Sequence, residues 1–351
     1  MSPEPPSIFG VRSLERSSAR ISVAEAAAIA DEHWGIGGLA TELPAEVDEN
    51  FRLVCASRTL LLKVVPAEEP AELTDLVTQA LIHVHGRVYP GLTQEVLKTR
   101  TGANVASFED SAGRRRTARL SSFIEGTVMR SAALDRTLRV RLGRTLARLA
   151  VALRTFDHPA ASRELSWDLR YAGRMQAMLA ELTPSSRRRA LGECLADFDA
   201  EIVPRLEPLP VQTVHNDLSK DNAVLTEDGR IGVIDFGDIV RTQRVNDVAV
   251  AMADQLGSGM RPFAPSLELA HGYLDVLSLE AEEIALLYPL VRARVATRIV
   301  GGEWRAERFP ENREYLARNV ERLWAIFARL PAVATPEDAA QLKLLAEETG
   351  A

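Results

Sequence analysis

The stretch VHNDLSKDNAVLTEDGRIGVIDFGD sets oxygen-bearing side chains where a divalent cation and an attacking hydroxyl would need them. Asn222 offers an amide oxygen and Asp235 a carboxylate, the hard donors that hold magnesium beside phosphate groups. Asp217, five residues before Asn222, is placed to orient and deprotonate the hydroxyl. His215 suits holding the loop backbone in shape rather than touching substrate. The chemistry that needs this set is phosphoryl transfer, in which catalysis is mostly positioning and charge neutralisation. Asp, Asn and Gly are also ordinary turn residues. H-x-D-x-x-x-x-N joined to I-D-F-G at the end of a hairpin is a much more specific combination.

The local elements close the separation of 235 − 217 = 18 residues between the two aspartates. VQTV reads as a short strand leading into the loop. NAVL and RIGVID read as two strands joined at Glu227-Asp228-Gly229, a hairpin signal. Asp235 falls at the end of the second strand, so the hairpin returns it beside the loop that carries Asp217.

Upstream, residues 1 to about 20 are rich in Pro, Ser and Arg and read as an irregular arm. Ser22 with Glu25 forms a capping box that opens a helix over VAEAAAIADEHW. Gly35, Gly37 and Gly38 stop it; no Lys-Ser or Lys-Thr pair follows, so they read as a turn rather than a phosphate loop. NFRLVCA and TLLLKVV are strands, and 71–85 is a helix with Leu73, Leu76, Leu81 and Val84 on one stripe. Two further strand-like runs are expected near 94–99 and 117–124, with polar GRRR between them. Beyond Gly126 the pattern is helical except around 211–238, and residues 134–155 form a long amphipathic helix. This order predicts an α+β chain: a small strand-rich lobe over 1–120, a linker over 121–126 and a large helical lobe over 127–351.

Composition excludes several classes. With 351 residues, 46% apolar and 26% charged, the chain is neither disordered nor fibrous and is long enough for two cores. The formal charge of −7 argues against a broad nucleic-acid surface. Cys55 and Cys194 are too few for a disulfide framework or a four-thiolate zinc site, and nothing near His83 and His85 completes a metal site. No apolar run approaches the roughly 18 residues of a membrane span, and the N-terminal segment lacks a secretory apolar core. A cytoplasmic protein binding neither nucleic acid nor membrane is expected.

HNDLSKDN followed by IDFGD resembles the catalytic and metal-binding loops of the aminoglycoside phosphotransferase and choline kinase superfamily, distant relatives of protein kinases. The resemblance extends over nearly the whole chain. VIDFGDIVRTQRVNDVAVAMA and DENFRL are most similar to the hydroxylysine kinase group, as are Ser219-Lys220-Asp221 and the absence of a G-D-P tripeptide. It implies a protein-kinase-like two-lobed fold that binds ATP or GTP between its lobes with Mg2+ as cofactor. It also implies that Lys63 in LLLKVV contacts the nucleotide phosphates. A lysine among apolar neighbours is independently unusual, because burying an ammonium is costly without an anionic partner. That partner is expected from the following helix, as Asp75 or, second, Glu72. By the same resemblance LSSFIEG is the linker, whose backbone at Ser121 and Phe123 reads the adenine edge. ELPAEVDENF is the nucleotide loop, without glycine, and Asn50 is a candidate to fix it. Asp247 opens a helix under the site as an anchor, and Asp238, beside the metal segment, is a candidate for acceptor binding or simply solvated.

A hydroxyamino acid acceptor needs an anion for its ammonium and a cation or amide for its carboxylate. Trp167, Asp168 and Arg170 in WDLRY are candidates, though a helix start with a packed Trp explains them equally well. Arg292, Arg294 and Arg298 on a late helix are candidates for a carboxylate or simply solvated, and ENREYL at 311–316 resembles a family segment without an assigned role. The expected activity is a kinase acting on a hydroxyl of a small amine or amino acid, 5-hydroxylysine-like favoured. Aminoglycoside O-phosphotransferase, choline or ethanolamine kinase, and homoserine kinase are the alternatives. Aromatic residues at 5% weigh against the aromatic cage of a choline site. An inactive nucleotide-binding regulator is more remote, since Asp217, Asn222 and Asp235 are all present.

Overall fold

Ser22 caps the first helix through reciprocal bonds: its hydroxyl accepts the Glu25 N–H while the Glu25 carboxylate accepts the Ser22 N–H. That helix, α1 (Val23–Trp34), ends on Gly35 in the left-handed conformation, φ 68°. The computed structural model describes residues 20–45, 48–182, 185–308 and 313–349. The arm expected over residues 1–19 and the first two residues of ENREYL lie outside them.

Helix α1 covers one face of a five-stranded antiparallel sheet. In chain order its strands are β1 (Leu39–Leu43), β2 (Glu49–Val54), β3 (Thr59–Val65), β4 (Ala106–Glu109) and β5 (Arg115–Ser122), with spatial order β1-β2-β3-β5-β4. The alternation in TLLLKVV decides which way Lys63 points. Leu60, Leu62 and Val64 are buried with Phe51, Leu53 and the α1 residues Ala26 and Ile29, so Lys63 stands on the opposite face. Register puts Asn50 of β2 and Arg119 of β5 beside it.

The run at 94–99 does not form a strand; only Val96 bridges Ser121. The missing strand is β4, and GRRR is partly its turn and partly the start of β5. Arg116 explains why a polar run sits inside: its buried guanidinium donates to Val65 O at 2.8 Å and to Glu49 at 2.9 Å.

Between β3 and β4 lies α2 (Ala71–His85), whose Leu76, Leu81 and Val84 belong to a second, larger core. That core continues through α3 (Arg136–Leu153), α4 (Gln176–Glu181), α5 (Ser186–Asp197) and α6 (Val203–Leu206), and then α7 (Arg244–Asp254), α8 (Ala264–Leu274), α9 (Ala281–Arg308), α10 (Arg313–Phe327) and α11 (Pro336–Thr349). Gly143 of α3 and Gly272 of α8 let those helices touch: a Cβ at either would lie 2.0 Å from a carbonyl oxygen of the other helix. Set into the helices are β6 (Thr127–Val128), the hairpin β8 (Ala223–Leu225) and β9 (Ile231–Val233) beside it, and the pair β7 (Val211–Val214) and β10 (Val240–Gln243). No helix among the described residues is long and apolar enough to cross a membrane.

Candidate active site

The turn after β7 places Asp217 by bending sharply at Asn216, which takes φ 65°, a conformation Asn tolerates better than most residues. Asp247 holds that bend, accepting the Asn216 N–H at 2.7 Å. It lies in the first turn of α7 rather than at its cap, Gln243, so its place is that of a loop anchor. Burial pushes its carboxyl up to about 7, against the pull of the backbone N–H groups of Asn216 and His215.

His215 is fully buried, its Nε2 3.1 Å from Ile234 O and its Nδ1 accepting the Asp217 N–H at 3.3 Å. Only a neutral ring can accept at Nδ1. Burial lowers its pKa to about 4, consistent with that tautomer. His215 thus ties the Asp217 loop to the end of β9, and Ile234 N donating to Asn222 O at 3.0 Å makes a second tie.

The amide nitrogen of Asn222 donates to Asp217 O at 2.9 Å and to Asp217 Oδ2 at 2.7 Å. Asp235 follows β9 at φ 60° and opens the short turn Phe236–Asp238, which Arg163 clamps through Gly237 O and Ile239 O at 2.5 and 2.9 Å. With the Asn222 nitrogen committed to Asp217, its oxygen remains as a donor. Asp235, with a half-exposed side chain, adds a carboxylate. An amide oxygen and a carboxylate, without thiolate or imidazole, suit a hard divalent cation. Among the described residues no three His, Cys, Asp or Glu gather into a metal cage, so such a cation would take its other ligands from phosphate or water.

Burial raises the Asp217 carboxyl to about 8, with the charges of Asp238 and Asp235 adding to the rise and those of Arg294 and Arg298 opposing it. Arg294, buried on α9, sits 3.4 Å from Asp217 Oδ1 and donates to Trp167 O at 3.0 Å. Asp238 therefore lies in the electrostatic reach of Asp217.

Lys63 is held differently from the expectation. Its Nζ lies 2.8 Å from Asp48 Oδ2 and 3.5 Å from Asp235 Oδ1. Asp75 is exposed on α2 and interacts with Gln79 and His158, and Glu72 is exposed as well. The reason is register: β2 lies directly beside β3, so the loop before β2 reaches Lys63, while α2 turns its apolar stripe to the larger core.

Three further expectations change. Ser121 lies inside β5, opposite Leu61 and bridging Val96, and the Phe123 N–H is bonded to Thr59 O at 3.2 Å. The sheet thus runs two residues into the segment read as linker, the Phe123 N–H is committed to Thr59 O, and its ring carries the Arg52 guanidinium at 5.2 Å. Asp168 is fully buried, accepting from the Arg170 guanidinium at 2.7 Å and from Thr242 Oγ1 at 3.0 Å. Two residues apart at a turn, Asp168 and Arg170 satisfy each other, so neither presents a free charge to an acceptor. Trp167 packs so closely on α9 that a Cβ at Gly301 would lie 2.6 Å from its ring. Arg292 stacks over Phe327 and bonds Leu330 O. Sequence reasoning passed over Asp48, Arg163 and Asp254; only Asp48 had a local signal, as an acidic residue inside the expected nucleotide loop.

Loops arranged in this way, on a small sheet and a large helical body, define a phosphotransferase. Residues 40–275 match APH, the phosphotransferase enzyme family, and the chain belongs to that family. It is similar to the hydroxylysine kinase of Mus musculus, 22% identical over 308 residues that cover 80% of this chain and 81% of that protein. Among solved structures it is similar to a microcompartment-associated aminopropanol kinase, with a TM-score of 0.69 at 18% identity, covering 87% of this chain and 98% of the other. Amicoumacin kinase hAmiN in complex with AMP-PNP, Ca2+ and Ami gives 0.66 at 16% identity, covering 86% and 91%. The fold is the protein-kinase-like one, and the chain is a small-molecule kinase that acts on hydroxyl groups.

Proposed function

We propose that this kinase transfers the γ-phosphoryl group of ATP or GTP to a hydroxyl of a small amine or amino acid, with 5-hydroxylysine-like acceptors favoured. The observation that carries the reading is the meeting of Asp217, bonded to Asn222 at 2.7 Å, with Asp235, 3.5 Å from Lys63. Asp217 orients the acceptor hydroxyl and takes its proton as the oxygen bonds to the γ-phosphorus and the bond to the leaving diphosphate breaks. A pKa raised by burial makes Asp217 a better proton acceptor than an ordinary aspartate. Lys63 offsets charge on the phosphates, and Arg294 steadies Asp217. Asn222 and Asp235 would hold magnesium, which supplies further charge neutralisation at the phosphates when bound.

In this reading the described residues up to 120 form the nucleotide-binding lobe and those from 127 onward the helical lobe with the catalytic and metal-binding loops, in a cytoplasmic enzyme. The acceptor preference is supported by the likeness to hydroxylysine kinase and by Ser219-Lys220-Asp221 in the catalytic loop. The test is magnesium-dependent turnover of ATP and GTP against hydroxylysine, homoserine, ethanolamine, choline and aminoglycosides, with Asp217→Ala in parallel. Turnover that depends on hydroxylysine and vanishes in the variant supports the reading. Turnover with an aminoglycoside or choline alone replaces the acceptor, and turnover that survives in Asp217→Ala removes Asp217 from its role.

A further inference from the structure

Around Asp254 the protein assembles cations in excess, although its net charge is negative. Arg298 lies one turn beyond Arg294 on α9, so the two share a helix face. Arg294 is taken up by Asp217 and the Trp167 carbonyl. Arg298, partly exposed, reaches only to 3.6 Å from Asp254 Oδ1. Lys220, three residues past Asp217 on the catalytic loop, donates its backbone N–H to Asp254 Oδ2 at 2.8 Å, with its ammonium at 3.9 Å from the same oxygen. Arg322 comes in from α10 and feels Arg298, Asp254 and Arg130, and Arg130 pairs with Asp221. Lys220, Arg298, Arg322 and Arg130 against Asp254 and Asp221 leave 4 − 2 = +2. Burial lowers the Arg322 pKa, and Arg298 and Arg130 lower it further, against the opposite pull of Asp254 and Asp221.

We propose that Arg298, Arg322 and Lys220 form the seat for an anionic group of the acceptor, a carboxylate, beside the hydroxyl presented to Asp217. This rests on the kinase reading above and narrows it: the acceptor is a hydroxyamino acid rather than a plain hydroxyamine or a polycation. Asp254 stands among these cations, accepting the Lys220 N–H at 2.8 Å and lying 3.6 Å from Arg298. A guanidinium pair is suited to the task because it binds a planar carboxylate through parallel hydrogen bonds. The same cations are equally able to bind a phosphate of the nucleotide, so the experiment separates the two sources.

Steady-state kinetics on matched acceptors does so: 5-hydroxylysine against its decarboxylated diamine, and homoserine against aminopropanol. The wild type is expected to favour the carboxylated member of a pair by about tenfold or more in kcat/KM, as one charge-assisted contact allows. Arg298→Gln and Arg322→Gln should each cut the preference for the carboxylated member, the ratio of the two kcat/KM values, by about tenfold without raising the nucleotide KM, with Arg298→Lys partly restoring it; both members meet the same Asp217, so the ratio cancels any change in that carboxyl. A rise in nucleotide KM instead assigns the cations to phosphate and overturns the proposal, as does equal use of both members with the kinase reading intact. If no acceptor in the panel turns over, the acceptor reading of the proposed function fails separately, and thermal stabilisation by the same compounds decides the seat. A saturable shift given by the carboxylates alone and lost in Arg298→Gln supports it; no shift, or an equal one from the decarboxylated partners, overturns it.

Discussion

Asp48, not a residue of the following helix, is the acidic partner of Lys63, and its Oδ2 lies 2.8 Å from the ammonium. Burial alone would lower the lysine pKa, but the charges of Asp235 and Asp48 outweigh it and hold the value above the ordinary one. Asp48→Asn removes half of a buried charged contact, so kcat/KM for nucleotide turnover should fall about ten- to hundredfold. Asp75→Asn should leave it within about twofold, as expected for a surface substitution. Equal effects from the two variants would return the pairing to α2.

Arg294 holds down the pKa of Asp217 against burial. Replacing it with Met removes that opposition, so the acid limb of the pH profile of kcat/KM should move to higher pH. Arg294→Lys keeps the charge and should move the limb less. A limb that stays in place in Arg294→Met would mean that another group sets it.

His215 predicts a stability dependence with a definite sign. Its folded pKa is depressed to about 4 by burial, from an ordinary value of 6.5. Between those values the unfolded chain binds a proton that the native state refuses, so stability is full above about 6.5 and falls as pH drops towards 4. A shift of this size is worth about 3 kcal/mol across the window. Denaturant midpoints of wild type and His215→Gln from pH 4 to 7 test it; the variant should show the flatter dependence, and parallel curves would contradict the assignment.

Gly143 and Gly272 predict a purely steric effect. A methyl group at either meets a carbonyl oxygen at 2.0 Å, which the helices can accommodate only by separating. Gly143→Ala should cost about 1–3 kcal/mol or more, read as a lowered Tm with the acceptor KM unchanged. An unchanged Tm would show that α3 and α8 do not approach this closely.

Much of the site was legible because Asp217 and Asn222 lead into one short hairpin and Asp235 leaves it, so local turn signals determine which residues return to one another. Asp48 was not legible as a partner because its approach to Lys63 depends on the register of β2 against β3. Arg116 was expected between strands for a related reason: a polar run reads as a connection, yet Glu49 and the Val65 carbonyl give this arginine a buried home inside β5. In WDLRY the residue types suited an acceptor site. Their spacing lets the Arg170 side chain turn back on Asp168, and residue types alone do not reveal that closure.

Helix α2 is threaded between two strands of the small sheet but keeps its apolar stripe in the core of α3. Recombination between relatives at the linker would therefore separate partners rather than modules. A chimera joined after β5 would bring in a foreign α2 to meet a resident α3, with Leu76, Leu81 and Val84 facing side chains shaped for another helix. Grafts that keep the native α2, or carry α3 along with it, preserve that contact. Divergence of the sheet-bearing part of the chain is then tied, through one helix, to divergence of the helical part.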